Sequence, residues 1–161
     1  MNETPKGPAI DPFSLPGVRS TDYPAPFDED VAGREERVLG EAFKLTNFGI
    51  NMITLAPGAM SSQRHWHTKQ DEFVYMVDGE LVLVTDEGDQ IMTPGMVVGF
   101  AAGVTNGHHL VNRSGRDAAF LVVGDRTSGD EAGYSDIDMR FNDQGLFTHK
   151  NGTPYTTKDE G

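Results

Sequence analysis

The sequence predicts an all-β fold, either an antiparallel sandwich or a barrel. Its middle part consists of β-prone apolar runs of about five to seven residues, and turn-forming residues separate these runs roughly every ten positions. No stretch shows the sustained periodicity of a long amphipathic helix. The 161 residues are enough for one domain with its own hydrophobic core.

The strands follow from these runs in chain order. We predict strands over residues 42–46, 49–56, 61–67, 72–78, 80–85, 90–93, 96–100, 108–112 and 118–123. Asp78-Gly79 is a typical two-residue hairpin turn. Strands 72–78 and 80–85 are apolar on both faces, which indicates burial on both sides. One side would be the barrel interior, and the other a second sheet, the N-terminal segment or a second subunit, so we expect a homodimer.

Composition divides the chain into three parts. Residues 1–35 contain six of the nine prolines and no sustained periodicity, and they predict an extended N-terminal arm that wraps the barrel or a partner subunit; the alternative is a partly disordered tail. Residues 36–125 form the predicted β-barrel. Residues 126–161 form the predicted polar C-terminal extension, in which we expect 134–139 to be a short edge segment and the aromatic side chains to dock on the barrel.

Composition also excludes several classes of function. The chain has no cysteine, which leaves His, Asp and Glu as metal ligands and fits a reducing compartment, so we expect a cytoplasmic protein. The N-terminus lacks the features of a secretory signal, and no apolar run approaches the ~20 residues that span a bilayer. The net charge of −12 disfavours nucleic-acid binding. We therefore expect a small-molecule partner, with no nucleic acid and no membrane.

The stretch 64–72 contains a candidate metal site. His65 and His67 share one face if they lie on a strand. Imidazole and carboxylate ligands suit Mn, Fe, Ni, Cu or Zn. Glu72 follows His67 by five residues, an odd offset, so we expect a turn over 68–71 that brings Glu72 opposite the histidines. Asp71 is the alternative; we favour Glu72 for its longer side chain and its parity with the apolar residues of the next strand.

A fourth ligand is expected from a distant strand. His108 and His109 are adjacent in one predicted strand and therefore point to opposite faces. Spacing alone does not choose between these two histidines.

Two spaced motifs in the chain resemble those of the cupin superfamily. The first runs Gly58, six residues, His65-Trp66-His67, four residues, Glu72, six residues, Gly79. The second runs Gly95, five residues, Ala101-Ala102-Gly103, four residues, His108, three residues, Asn112. The departures are one extra residue after Gly58, alanine for proline at position 101, and two extra residues before His108. All of them fall in predicted turns or loops, where insertions are tolerated.

The resemblance extends over about residues 40–125 and implies a cupin double-stranded β-helix, a jelly-roll barrel with a metal inside. It carries the fourth ligand over onto His108, so that the implied ligands are His65, His67, Glu72 and His108. We expect one divalent transition metal per chain: Mn, Fe, Zn or Ni. Segments 71–75, 106–112 and 124–127 look closest to small single-domain bacterial cupins described as sugar-phosphate isomerases.

Three functions are compatible with such a site. The first is an isomerase or epimerase of a sugar or sugar phosphate, the second an Fe(II)-dependent dioxygenase, and the third a non-catalytic cupin that binds a small molecule. The sequence does not decide whether the chain is an enzyme, and it identifies no catalytic base. Predicted substrate contacts are Gln63, Asn51, Tyr75 and Asn112. The pocket segments contain few Lys or Arg residues, which argues against a phosphate group.

Overall fold

A computed structural model of the chain describes residues 8–156. Within this range the strands are β1 (Arg34–Val38), β2 (Phe48–Leu55), β3 (His65–His67), β4 (Glu72–Asp78), β5 (Leu81–Thr85), β6 (Gly88–Met92), β7 (Val97–Phe100), β8 (His109–Val111), β9 (Ala118–Asp125), β10 (Ala132–Tyr134), β11 (Arg140–Phe141) and β12 (Phe147–Thr148). One short helix, α1 (Leu39–Ala42), and two single 3-10 turns, Pro12–Ser14 and Glu29–Val31, complete the secondary structure.

The strands form two antiparallel layers. A five-stranded sheet has the order β1-β2-β9-β4-β7. The second layer contains a four-stranded sheet, β12-β11-β10-β3, and a three-stranded sheet, β6-β5-β8. Isolated bridges bring the two smaller sheets together: His65 of β3 bridges to His108, just before β8, and Met60, ahead of β3, bridges to Val111 of β8. The predicted all-β jelly roll is confirmed.

The main hydrophobic core lies between the two layers. It joins Ile53, Met76 and Phe120 of the five-stranded sheet to Leu83 and Leu110 of the other layer. Strand β4 shows the alternation that builds this core: Val74 and Met76 are buried, whereas Phe73 and Tyr75 are 44% and 41% exposed. The outer face of β4 is therefore uncovered in the single chain, although its apolar sequence predicts burial on both sides.

Several local predictions differ from the structure: of predicted strand 61–67 only His65–His67 is a strand, and the predicted edge segment 134–139 is replaced by β10, Ala132–Tyr134. Residues 42–46 are not a strand: α1 ends at Ala42, and Lys44 adopts a positive φ of 56°. The apolar side chains that suggested a strand, Phe43 and Leu45, are exposed and contribute nothing to the core. Conversely, residues 34–38 form strand β1 although they lack apolar alternation. Pairing with β2 along the whole length of β1 stabilises this strand.

The two terminal segments pack against each other and against β3. Strand β10 pairs with β3, so the C-terminal segment extends a sheet of the barrel. A separate hydrophobic cluster at this end joins Tyr23 and Phe27 of the N-terminal segment to Tyr134, Met139 and Phe147. The domain limits at residues 35 and 125 stay predictions. The outermost parts of the two terminal segments, residues 1–7 and 157–161, lie outside the described range. None of the helices in residues 8–156 is long and apolar enough to cross a membrane.

Candidate metal centre

Three separate segments bring four candidate ligands to one end of the barrel interior. Strand β3 presents His65 and His67 on one face, because alternate residues of a strand point the same way. The chain then turns, and Glu72 is the first residue of β4. His108 lies just before β8 and exchanges two backbone hydrogen bonds with His65, of 3.2 and 2.9 Å.

The four side chains converge around the Glu72 carboxylate. Glu72 Oε1 lies 3.1 Å from His108 Nε2, and Glu72 Oε2 lies 3.6 Å from His67 Nε2 and 4.0 Å from His65 Nε2. Ligand atoms of His65, His67 and Glu72 all lie within 4.8 Å of one another. Glu72 therefore reaches the histidines, whereas Asp71 is exposed and accepts a hydrogen bond from the backbone N–H of Ala102.

Hydrogen bonds on the far side of two rings fix their orientation. His65 Nδ1 lies 2.9 Å from the carbonyl oxygen of Gln63, and His67 Nδ1 lies 2.6 Å from Asp130 Oδ2. Both oxygens are acceptors, so each Nδ1 carries the proton and donates it. In the neutral ring the lone pair is then on Nε2 and points towards the centre. Partners of this kind commonly orient histidines that bind metals.

His108 is held by packing instead. Its ring stacks on Phe100 with a centroid distance of 3.4 Å and an interplanar angle of 3°. Only 5% of the His108 side chain is exposed. Its Nδ1 is buried and forms no hydrogen bond within residues 8–156. The Nε2 atom, by contrast, faces Glu72.

Burial and charge set the protonation of these groups. Burial lowers the pKa of His65 to about 4, against the opposing effect of the Glu72 carboxylate, so His65 is neutral at pH 7. Burial also disfavours charge on His67, but the neighbouring carboxylates of Glu72 and Asp130 raise its pKa overall. Burial opposes ionisation of Glu72, yet the facing imidazoles of His108 and His67 hold its pKa well below the usual range. Glu72 is therefore a carboxylate.

This arrangement fits a divalent transition metal. Lone pairs of neutral imidazoles and an ionised carboxylate repel one another when they face a common point, and a cation at that point removes the repulsion. Nitrogen and oxygen donors of this kind suit Mn, Fe, Ni or Zn. His65, His67 and Glu72 form the group that the geometry supports most directly.

A cavity of about 630 Å³ opens from the ligands. Its floor is the inner face of the five-stranded sheet, and its walls include both terminal segments. The lining residues outside the ligand set include Ser20, Thr21, Asp22, Tyr23, Arg34, Glu36, Asn51, Asp125 and Arg126. Sequence reasoning did not foresee the two arginines, because both lie far from the motifs.

The structure brings only one of the four predicted substrate contacts to this cavity. Asn51 lines the cavity. The Gln63 side chain turns away and donates to Asp30 Oδ2 at 2.7 Å. Tyr75 lies on the outer face of β4. Asn112 is fully buried, and its amide donates to the carbonyl oxygens of Leu55 and Arg116 at 2.8 Å each, which is a structural role.

Asp130 is the supporting residue that the sequence did not indicate. Besides His67, its carboxylate accepts hydrogen bonds from the backbone N–H groups of Lys69 (2.7 Å) and Gln70 (3.1 Å). It therefore holds both a ligand ring and the turn between β3 and β4. No sequence signal marked it, because it lies 63 residues from His67 in a polar loop.

Comparisons with known proteins agree with this geometry. A family model described as Cupin domain matches residues 51–124, which include all four candidate ligands. A comparison with curated proteins found no match. A solved structure from Silicibacter pomeroyi, described as a sugar phosphate isomerase from a cupin superfamily, is 45% identical, with a TM-score of 0.87; the match covers 92% of this chain and 97% of that one.

Two more distant structures extend the likeness. One, from Acidithiobacillus ferrooxidans, is provisionally described as a sugar phosphate isomerase; it is 26% identical, with a TM-score of 0.69, over 79% of this chain and 84% of that one. The other, a polyketide cyclase from Streptomyces resistomycificus, is 18% identical with a TM-score of 0.60 over 73% of this chain and 78% of that one, and shares the fold. The extent and identity of the first match, with the family model, establish that the chain belongs to the cupin superfamily.

Proposed function

We propose that this cupin is a metal-dependent isomerase of a sugar or sugar phosphate. The observation that carries the proposal is the convergence of three imidazole Nε2 atoms and the Glu72 carboxylate at the end of a polar cavity. The likeness to a protein described as a sugar phosphate isomerase, 45% identical over 92% of this chain, supports the substrate class.

His65, His67, Glu72 and His108 would hold the metal. A divalent ion in this set would leave a net local charge of about +1 and would act as a Lewis acid towards a carbonyl or hydroxyl oxygen of the substrate. The protein residues orient the ligands and shape the cavity. Because Glu72 is taken as a ligand, another group must move the proton that an isomerisation requires.

Tyr23 is the residue we propose for hydrogen bonding to the reacting end of the substrate. Its hydroxyl oxygen accepts a hydrogen bond from the backbone N–H of Gln63 at 3.2 Å. Burial raises the pKa of Tyr23, and the neighbouring Tyr134 acts in the opposite direction. Tyr23 also forms part of the cavity wall, which places it beside a bound substrate.

Two arginines support an anionic or strongly polar substrate. Arg34 lines the cavity and pairs with Glu36, so its charge is compensated. Arg126 lines the cavity at an exposed position and forms no ion pair with any other residue of the described range. Arg126 is therefore the better partner for a phosphate group. The scarcity of basic residues near the motifs does not extend to the folded cavity.

Anaerobic turnover tests the proposed function. The protein is stripped with a chelator, reloaded with Mn(II), Fe(II), Ni(II) or Zn(II), and incubated with aldoses and aldose phosphates while NMR follows the ketose products. We expect isomerisation with at least one metal, and none in the stripped protein or in Glu72→Gln. In a parallel aerobic assay, oxygen consumption by the Fe(II) form would instead support a dioxygenase. Saturable binding without any turnover would support a non-catalytic cupin.

We further propose a homodimer formed through the outer face of β4 and β7. Phe73, Tyr75 and Val97 are 44%, 41% and 54% exposed there, and Tyr75 pairs directly with Val97. Contiguous exposed apolar side chains of this kind mark interaction surfaces. Analytical ultracentrifugation should show a dimer that Tyr75→Lys converts to a monomer, while Ile91→Lys, at an exposed position on β6, leaves the dimer intact. A monomeric unmodified protein would contradict the proposal.

A further inference from the structure

Strand β1 carries charged residues on both of its faces, and those on its inner face line the cavity. Its sequence begins Arg34-Glu35-Glu36-Arg37, two arginines and two glutamates in four positions. Alternation along the strand places Arg34 and Glu36 in the cavity wall. Glu35 and Arg37 point to the opposite face, where they pair with each other. One strand therefore presents the same two residue types on two faces, and only one of these faces reaches the proposed active site.

The inward pair belongs to a three-residue cluster. Arg34 Nη1 lies 3.1 Å from Glu36 Oε2, and the Asn51 amide donates to Glu36 Oε1 at 2.6 Å. The charges of Arg34 and Glu36 compensate each other. Each Glu36 oxygen can accept a further hydrogen bond, and the Arg34 guanidinium has further donors. The cluster thus offers acceptors and donors side by side without a net charge.

Two glycines leave the floor open between this cluster and the metal ligands. Glu72 of β4 pairs with Gly124 of β9, and Gly124 pairs with Gly49 of β2. A Cβ added at Gly49 or Gly124 would make only ordinary contacts, 3.8 and 3.7 Å from backbone oxygens, so packing does not demand glycine there. Asn51 follows two residues after Gly49 on the same face. Two inter-strand spacings separate Glu72 from Gly49, about 10 Å.

We propose that Arg34, Glu36 and Asn51 form a subsite that binds the hydroxyl groups of a polyhydroxylated substrate at the end remote from the metal ligands. A carboxylate accepts hydrogen bonds from neighbouring hydroxyls, and the guanidinium and amide donate to their oxygens. The same carboxylate repels a phosphate, so a phosphate group would bind elsewhere in the cavity. This subsite rests on the proposed function, because it supposes that a sugar-like chain starts at the metal.

Two hydroxy acids of different length test the subsite. Glycolate is long enough only for the metal end, whereas D-gluconate has the same α-hydroxy carboxylate and a hydroxylated chain that extends towards β1. Calorimetry measures both dissociation constants on Zn(II)-loaded protein. Glu36→Gln should weaken gluconate binding by about tenfold or more, as expected for loss of hydrogen bonds to a charged group, and should leave glycolate binding unchanged.

Matched variants control for effects on folding. Glu35→Gln makes the same chemical change on the outer face of β1 and should leave both constants unchanged. Asn51→Leu removes the member of the cluster that lies on β2. It should reproduce the selective loss of affinity for gluconate. Wild-type affinity of Glu36→Gln and Asn51→Leu for gluconate would overturn the subsite and leave the proposed function standing. If the Zn(II)-loaded wild type bound neither acid, both the subsite and the proposed function would be overturned.

Discussion

The central barrel and the flanking segments contribute different parts of one site. The central residues 51–124 supply every candidate metal ligand, three of them within eight consecutive positions. The flanks supply the surroundings: Tyr23, Arg34 and Glu36 line the cavity from the N-terminal side, and Asp130 holds His67 from the C-terminal side. Three of the four candidate ligands thus lie close together in sequence, whereas His108, ligand support and cavity shape depend on residues distant in sequence.

This division has a physical origin. Strand alternation and a single turn are enough to make His65, His67 and Glu72 converge, so short spacing determines their geometry. The flanking residues reach the site through long-range contacts: β1 pairs with β2, β10 pairs with β3, and Tyr23 packs against Tyr134 and Phe147. A change at a fully buried residue of the barrel should therefore act most strongly on stability, and a change at a flanking residue that holds a ligand should act on metal affinity.

The largest stability effect is expected at Asn112 in the central barrel. Asn112→Ala removes two hydrogen bonds to the carbonyl oxygens of Leu55 and Arg116 in a fully buried place. We expect the free energy of unfolding to fall by about 2–3 kcal/mol, because buried acceptors lose their partners. Urea denaturation measures this change.

Asn51→Ala is the matched change on the cavity wall. In the unmodified protein the Asn51 amide donates to Glu36 in a half-buried position, where water can replace this hydrogen bond in the variant. The loss of stability should stay below about 1 kcal/mol. Equal losses in the free energy of unfolding for Asn51→Ala and Asn112→Ala would contradict the distinction between a residue that stabilises the barrel and a residue that lines the cavity.

Asp130→Asn should produce the next largest effect, on metal affinity. The asparagine keeps the size of the side chain but weakens its hold on His67 Nδ1. Loss of such a partner typically lowers metal affinity by about 10- to 100-fold. Competition with a chromogenic chelator measures the affinity.

Asp138 provides a control with nearly the same contacts. Its carboxylate holds His149 Nδ1 at 2.9 Å and the backbone N–H of Lys150 at 2.9 Å, on the surface. Asp138→Asn should leave metal affinity unchanged. If both variants lose affinity equally, Asp130 has no specific role in orienting His67.

Tyr23→Phe should give the smallest of these effects. The change removes the acceptor for the backbone N–H of Gln63, and we expect a loss of about 1 kcal/mol in the free energy of unfolding. Tyr155→Phe, which removes an exposed hydrogen bond to the carbonyl oxygen of Asp138, should cost less. Thermal or urea denaturation of both variants compares them. A larger loss at Tyr155 would show that the buried N-terminal contact does not stabilise the site.

The sequence predicted the parts that depend on local rules. Strand β4 was predicted with its actual limits, and most of the other strands within two residues, since apolar alternation and turns such as Asp78-Gly79 determine them. The convergence of His65, His67 and Glu72 followed from the odd offset between His67 and Glu72. Parity could not choose between His108 and His109; the resemblance to cupins indicated His108, and the structure brings His108 to Glu72.

The remaining features depend on long-range contacts. Strand β1 has no apolar alternation, because its inner face carries charged side chains that line a cavity. Gln63 has the right parity for the cavity, but the N-terminal segment covers it and provides Asp30 as its partner. Asp130 lies in a polar loop that only pairing of β10 with β3 brings to His67. None of these contacts leaves a periodic signal in the sequence.

The metal content of a double variant tests the central claim most directly. Wild-type protein and His65→Ala/His67→Ala are incubated with Zn(II), desalted, and analysed by inductively coupled plasma mass spectrometry, with circular dichroism as the check on folding. We predict about one metal ion per chain in the wild type, and a folded double variant that retains essentially none, because only Glu72 and His108 remain. A folded double variant with full metal occupancy would contradict the account.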